Sequence, residues 1–137
     1  MASAAQWYVQ GFATRSGIQV SLEIPEQLDR LGNEVELVLF RILQECLTNI
    51  HRHSGSKTAT VRIGSDSQHA WLEVQDQGKG SGSDVSPEPF RPGIGITGMR
   101  ERVKDLSGLL EISSGRTGTR VRAVLPLALK DNQTSTS

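Results

Sequence analysis

The sequence predicts an α+β fold, a two-layer sandwich of helices on a sheet. Three observations predict it. Segments that alternate apolar and polar residues come in pairs joined by short turn sequences. Stretches with apolar residues at helical spacing interrupt them. The chain has 137 residues, enough for one compact domain to bury most of its apolar surface without staples. The reading gives about five strands and three helices, and hairpins mixed with helices belong to layered α+β architectures.

Taken in order, residues 3–15 (SAAQWYVQGFATR) read as a short helix with Trp7, Tyr8 and Phe12 on one side. Trp7 there packs, or marks a severed interface. Residues 18–24 (IQVSLEI) alternate as a half-buried strand does, and Pro25 ends it. Residues 33–54 form the strongest helix pattern. Asn33 with Glu36 fits a capping box. Val35, Val38, Leu39, Ile42, Leu43, Cys46, Leu47 and Ile50 make a buried stripe, and Gly55 supplies a stop. Residues 58–64 and 69–76 alternate again around Ser65-Asp66-Ser67-Gln68, a hairpin signal in which Trp71 is expected to face the core. Residues 77–92 turn polar and Pro-rich, a loop long enough to act as a lid or binding loop. Helical spacing resumes over 94–106, with Gly108 as its stop. Strands over 109–114 and 119–127 flank Gly115-Arg116-Thr117-Gly118, and residues after Leu129 read as a disordered tail.

Composition narrows the function. Lys+Arg and Asp+Glu balance at 15 each, so no global field favours nucleic acid or an anionic membrane. No apolar run approaches the length of a bilayer span, and the N-terminus lacks the basic start and apolar core of a signal peptide. The expected setting is cytoplasmic. Met-Ala-Ser reads as a scar of expression, in which case the chain is an excised piece of something larger. Cys46, the single cysteine, sits in the apolar stripe and reads as a small buried hydrophobe.

Three clusters carry chemistry. At about 100° per residue, Arg41, Glu45, Asn49 and Arg52 fall within an arc of roughly 80° beside the apolar stripe. An asparagine amide oxygen is a hard neutral ligand suited to Mg²⁺, and a glutamate one turn away can hold a metal-bound water or accept its proton. Alone, the pair also fits a solvated helix face. In Asp76-Gln77-Gly78-Lys79-Gly80 the aspartate ends an apolar strand, where its carboxylate can accept a hydrogen bond from an exocyclic amino group such as that of adenine. Gly78 and Gly80 let a flat ring approach the backbone, although a plain turn has the same composition. The third cluster is Gly93-Ile94-Gly95-Ile96-Thr97-Gly98. It matches G-x-G-x-x-G by letter only, because a Pro-rich loop rather than a strand precedes it. No Walker sequence occurs, and the protein-kinase signature fails as well. Glycines at a helix start nonetheless expose backbone N–H groups to phosphate, or form a flexible joint. Thr119 can reach a base or phosphate, or cap a turn. Arg52, His53 and Lys79 are placed to meet phosphate oxygens or to be solvated charges, and His51 and His69 look incidental.

Together QECLTNIHRHS, DQGKG, GIGITGMRERV and GTRVRAVLPL, in this order over about residues 5–127, resemble the ATP-binding catalytic domain of sensor histidine kinases in the GHKL superfamily. The likeness is to the short-lid class of nitrate and desaturase-control sensors. The resemblance implies a Bergerat-type sandwich with a mixed, mostly antiparallel sheet under three helices. It implies ATP and Mg²⁺ as cofactors, Asn49 as the metal ligand and Glu45 as its acidic catalytic partner. Arg52 and His53 would lie on the phosphate side, Asp76 would read adenine beside Gly78 and Gly80, and Gly93, Gly95 and Gly98 would form the second glycine box. Thr119 would lie near the base, and residues 81–92 would be the lid.

The same resemblance divides the chain into 1–15 as the end of a connection from a dimerisation domain, 16–129 as the ATP-binding domain and 130–137 as the tail. The helical hairpin bearing the phospho-accepting histidine is not in this sequence. The expected partners are therefore ATP, a histidine-bearing dimerisation domain and, indirectly, a response regulator, with no nucleic acid or membrane contact by this domain. The isolated domain is expected to be a monomer, and its parent kinase is compatible with a membrane anchor. Two other readings share the motifs: a nucleotide-gated interaction domain, with Phe90 of the lid as a contact, and a kinase acting on a serine of a regulatory protein.

Overall fold

The computed structural model describes residues 2–25, 31–54, 57–76, 94–115 and 118–127. Helix α1 (Ala2–Ser16) leads into strand β1 (Gln19–Glu23), helix α2 (Asn33–Asn49) and a π-helical turn (Ile50–Ser54). Strands β2 (Thr58–Ser65) and β3 (His69–Asp76) follow, then helix α3 (Ile94–Asp105) and strands β4 (Leu109–Gly115) and β5 (Gly118–Pro126). The five strands form one sheet in the order β1-β2-β3-β5-β4. β1 runs parallel to β2 and every other pairing is antiparallel. The fold is thus the expected α+β sandwich with a mixed sheet and three α-helices among the described residues.

Strand alternation sorts the sheet into two faces. Val61, Leu72, Val74, Val121, Ala123 and Leu125 point to the helices and are almost fully buried. The stripe of α2 closes on them: Leu39, Ile42, Leu43 and Leu47 have no exposed surface, and Cys46 is buried among them. Burial, with the charge of Glu45 beside it, pushes the Cys46 thiol far above its ordinary range, so it stays protonated and unreactive. The first helix adds Ala5, Val9 and Phe12 to the same core.

The opposite face is polar in register. Glu23, Arg62, Glu73, Arg122 and Glu111 lie side by side across all five strands, an alternation of charge sign. Arg62 meets Glu23 at 3.0 Å, and Arg120 reaches Glu73 at 3.3 Å. Such exposed pairs are each worth about 0–1 kcal/mol. A slip of one residue would carry these charges into the core, so their main effect is on register. Trp71 belongs to this open face rather than to the core. Its indole lies over Gly64, where a Cβ would come within 2.7 Å of the ring. Trp7 likewise departs from the expected apolar side. It is 76% exposed, because it precedes Tyr8 and helical winding turns it away from the Tyr8–Phe12 stack.

Two helix ends differ from the sequence reading by one residue. Gly32, at φ 100°, takes the N-cap of α2, and no side chain caps it. The Glu36 carboxylate reaches past Asn33 to accept the Leu31 N–H at 2.9 Å. At the end of α3 the left-handed residue is Ser107, at φ 63°, not Gly108. The Gly108 N–H donates to Val103 O at 2.8 Å and the Ser107 N–H to Lys104 O at 2.9 Å, the Schellman pattern. Gly108 is needed for space, since a Cβ there would meet the Val124 carbonyl at 2.5 Å. A serine held in the left-handed region is strained by about 1 kcal/mol relative to glycine. Ser107→Gly is expected to raise the free energy of unfolding by that amount, read in urea as a higher midpoint with an unchanged m-value.

Candidate functional site

Two polar side chains are buried among the described residues, Asn49 at 6% exposure and Asp76 at 2%. Both were singled out from the sequence. Burying a polar group without a partner costs about 1–3 kcal/mol, so each has to be accounted for.

Asp76 is the last residue of β3 and alternates onto the helix-facing side with Leu72 and Val74. Gln75 pairs with Arg120 across the ladder, which sets Asp76 beside the start of β5. There its Oδ1 accepts the Thr119 N–H at 3.1 Å. The structure therefore brings Asp76 and Thr119 together through the main chain of Thr119. Gly118 makes this approach possible. It has φ 127°, and a Cβ at that position would collide with the Asp76 carbonyl oxygen. Sequence reasoning places Gly118 at the turn that opens the final strand and gives it no contact with Asp76. Its signal was its place immediately before Thr119, at the strand end that faces the aspartate.

Asn49 closes α2. The polar arc drawn from helical spacing is graded by packing: Arg41 and Arg52 are exposed, Glu45 is half-buried and Asn49 is buried. The carboxamide is set deeper than a face beside the stripe implies. Yet its Nδ2 makes no hydrogen bond to any described residue. A purely structural buried amide has its donors satisfied, and this one does not. A half-turn about χ2 exchanges Nδ2 and Oδ1, so the same group can offer a neutral oxygen in that direction. With the Glu45 carboxylate one turn earlier on the helix, the donor set is all oxygen, which fits Mg²⁺ and not a soft metal.

Gly95 and Gly98 fall within the first turns of α3. Among the described residues, no atom outside the neighbouring backbone of α3 lies within 4 Å of a Cβ placed on Gly98, and its φ is not positive. Neither packing of the described residues nor backbone conformation calls for glycine at that point, although glycine inside a helix costs about 0.5–1 kcal/mol relative to alanine. Gly78, Gly80, Gly93, the lid at 81–92 and the side chain of His53 lie outside the described residues. No helix among the described residues is long and apolar enough to cross a membrane.

The Gly118 contact is testable by itself. Gly118→Ala places a Cβ against main-chain atoms at a strained φ, and is expected to lower stability by about 2 kcal/mol or more. Chemical denaturation reads this directly. An unchanged midpoint would mean that β5 does not approach Asp76 so closely.

This arrangement has counterparts in known proteins. Residues 34–129 match the model of the family described as histidine kinase-, DNA gyrase B-, and HSP90-like ATPases. The sensor histidine kinase MctS of Rhizobium johnstonii is 34% identical over 115 residues, covering 84% of this chain and 25% of that protein. The sensor histidine kinase NarS of Mycobacterium tuberculosis is 36% identical over 116 residues, covering 84% of this chain and 27% of that one. The chain thus spans about a quarter of the length of these relatives. The histidine kinase domain of the Erythrobacter litoralis EL346 blue-light activated kinase superposes with a TM-score of 0.70 at 22% identity, covering 92% of this chain and 60% of that one, and so shares the fold. The chain belongs to the family of histidine kinase-, DNA gyrase B-, and HSP90-like ATPases.

Proposed function

We propose that this chain is the catalytic ATP-binding domain of a two-component sensor kinase, and that it transfers the γ-phosphoryl of Mg·ATP to a histidine on a separate dimerisation domain. One observation carries the reading. The two polar side chains buried among the described residues are a carboxylate at a strand end and an amide with an unused donor. A nucleotide needs one group to read its base and one to meet its metal.

In this reading Asp76 accepts the exocyclic amino group of adenine, with the Thr119 N–H holding the carboxylate in place. Gly98, with open space at its Cα, lets the phosphate chain pass close to the α3 backbone, where the helix start favours anions. Mg²⁺, held through Asn49 Oδ1 with Glu45 beside it, supplies charge neutralisation for the phosphates. Arg52, exposed one turn on, faces the phosphate side. In the transfer the bond from the γ-phosphorus to the bridging oxygen breaks, ADP leaves, and a bond forms to the unprotonated imidazole nitrogen of the acceptor. In this reading Glu45 would be the base that takes the proton the phosphorylated imidazole gives up. Positioning and electrostatics carry most of such a reaction. The phosphohistidine would then serve a response regulator.

Titration with a non-hydrolysable ATP analogue tests the base-reading role. Asp76→Asn is expected to reduce affinity at least tenfold, about 1.4 kcal/mol, while the fold survives. Equal affinity would remove the adenine assignment. Mixing the chain with a helical hairpin from a related kinase and Mg·ATP is expected to yield acid-labile phosphohistidine. Bound nucleotide without phosphohistidine would count against transfer. Gly98→Ala separates fold from function: it is expected to raise stability by about 0.5–1 kcal/mol and to weaken analogue binding. Unchanged binding would place that glycine outside the site.

A further inference from the structure

The helix that carries Asn49 changes its winding at that residue. The Ile50 N–H is shared between the carbonyls of Cys46 and Leu47, and the chain then widens into the π-helical turn Ile50–Ser54. A π turn is rare, and it persists where surrounding contacts hold it. Two contacts do so. Ile50 is buried against the core. The ring of His51 stands edge-on to Phe12 of α1, with centroids 6.1 Å apart and planes at 88°. Phe12 is itself buried and stacked on Tyr8 at 6.4 Å, and Tyr8 meets Phe40 of α2 edge-on at 5.7 Å. Through this chain of rings α1 grips α2 at its middle and again just beyond its end.

We propose that His51, braced by Phe12, is a positioning residue: it holds the wide turn after Asn49 and so sets the direction in which the Asn49 carboxamide and the Arg52 side chain leave the helix. The proposal rests on the reading of Asn49 as the group on the metal side. His51 acts by packing, and its outer side is exposed, so its removal leaves the core intact. Groups that orient a metal ligand typically change metal affinity by about tenfold or more.

The experiment compares the wild type with His51→Ala, His51→Phe and Asn49→Ala. Each is titrated with a non-hydrolysable ATP analogue with and without Mg²⁺. The side-chain amide resonance of Asn49 is followed by NMR in the nucleotide-free protein for the wild type and the two His51 variants. His51→Ala is expected to lose about tenfold of the Mg²⁺-dependent gain in affinity, to keep the Mg²⁺-free affinity and to shift or broaden the Asn49 resonance. His51→Phe, which restores a ring against Phe12, is expected to recover both. A wild-type Mg²⁺ gain and an unmoved resonance in His51→Ala would overturn the inference and leave the site reading standing, provided that Asn49→Ala abolishes the gain. An equal loss with and without Mg²⁺ would also overturn it, since that marks a general structural role. If Asn49→Ala keeps the full gain, the reading of the site falls, and the inference with it.

Discussion

The contact between the end of β3 and the start of β5 is the constraint on which the rest of the site depends. The Asp76 carboxyl group, at 2% exposure, meets the Thr119 N–H, and the two strands come that close because residue 118 is glycine at a positive φ. A buried charge needs fixed hydrogen-bond donors or it neutralises. Here a donor is main chain, which cannot swing away as a long side chain can. The ladder that aligns Gln75 with Arg120 delivers it. A strand-end aspartate thereby becomes a fixed acceptor on the helix-facing side.

Helix α2 has two tasks that compete for the same residues. Its stripe from Val38 to Ile50 closes the core over the sheet. Its adjoining arc carries Glu45 and Asn49, and at its end the arc rotates under the surface. The result is an amide with 6% exposure and a donor that no described residue uses. A stability-driven sequence would put an apolar residue or a satisfied amide there. The glycine at 98, in a helix where no neighbour crowds it, is a second position where local stability yields to something else. Both lie in segments that the ATPase family model covers.

The open face of the sheet shows a different use of charge. Its row of alternating acids and bases contributes little stability, because the pairs are half in water. It opposes slippage instead, since moving any strand by one residue would bury a charge and expose a core side chain. That leaves the apolar face free to be covered by three helices without ambiguity in register. Asp76 lies at the end of a strand whose position this row helps to define.

Much of this was legible in the primary structure. The element types, the buried stripe of α2, the β2–β3 hairpin and the identities of Asn49, Asp76 and Thr119 as a set follow from local periodicity and motif order, because a residue's period reports which face of its own element is buried. What the linear pattern left undecided depends on distant segments meeting. The parallel pairing of β1 with β2, the outward turn of Trp71, the choice of Ser107 over Gly108 for the left-handed cap and the role of Gly118 are of this kind. So is the depth of Asn49. The sequence by itself determined which groups are candidates for the chemistry, since composition and spacing name donors and acceptors. The tertiary structure alone decided which of them lose their water and which are left wanting a partner, because burial is a property of neighbours that the chain brings together only when it folds.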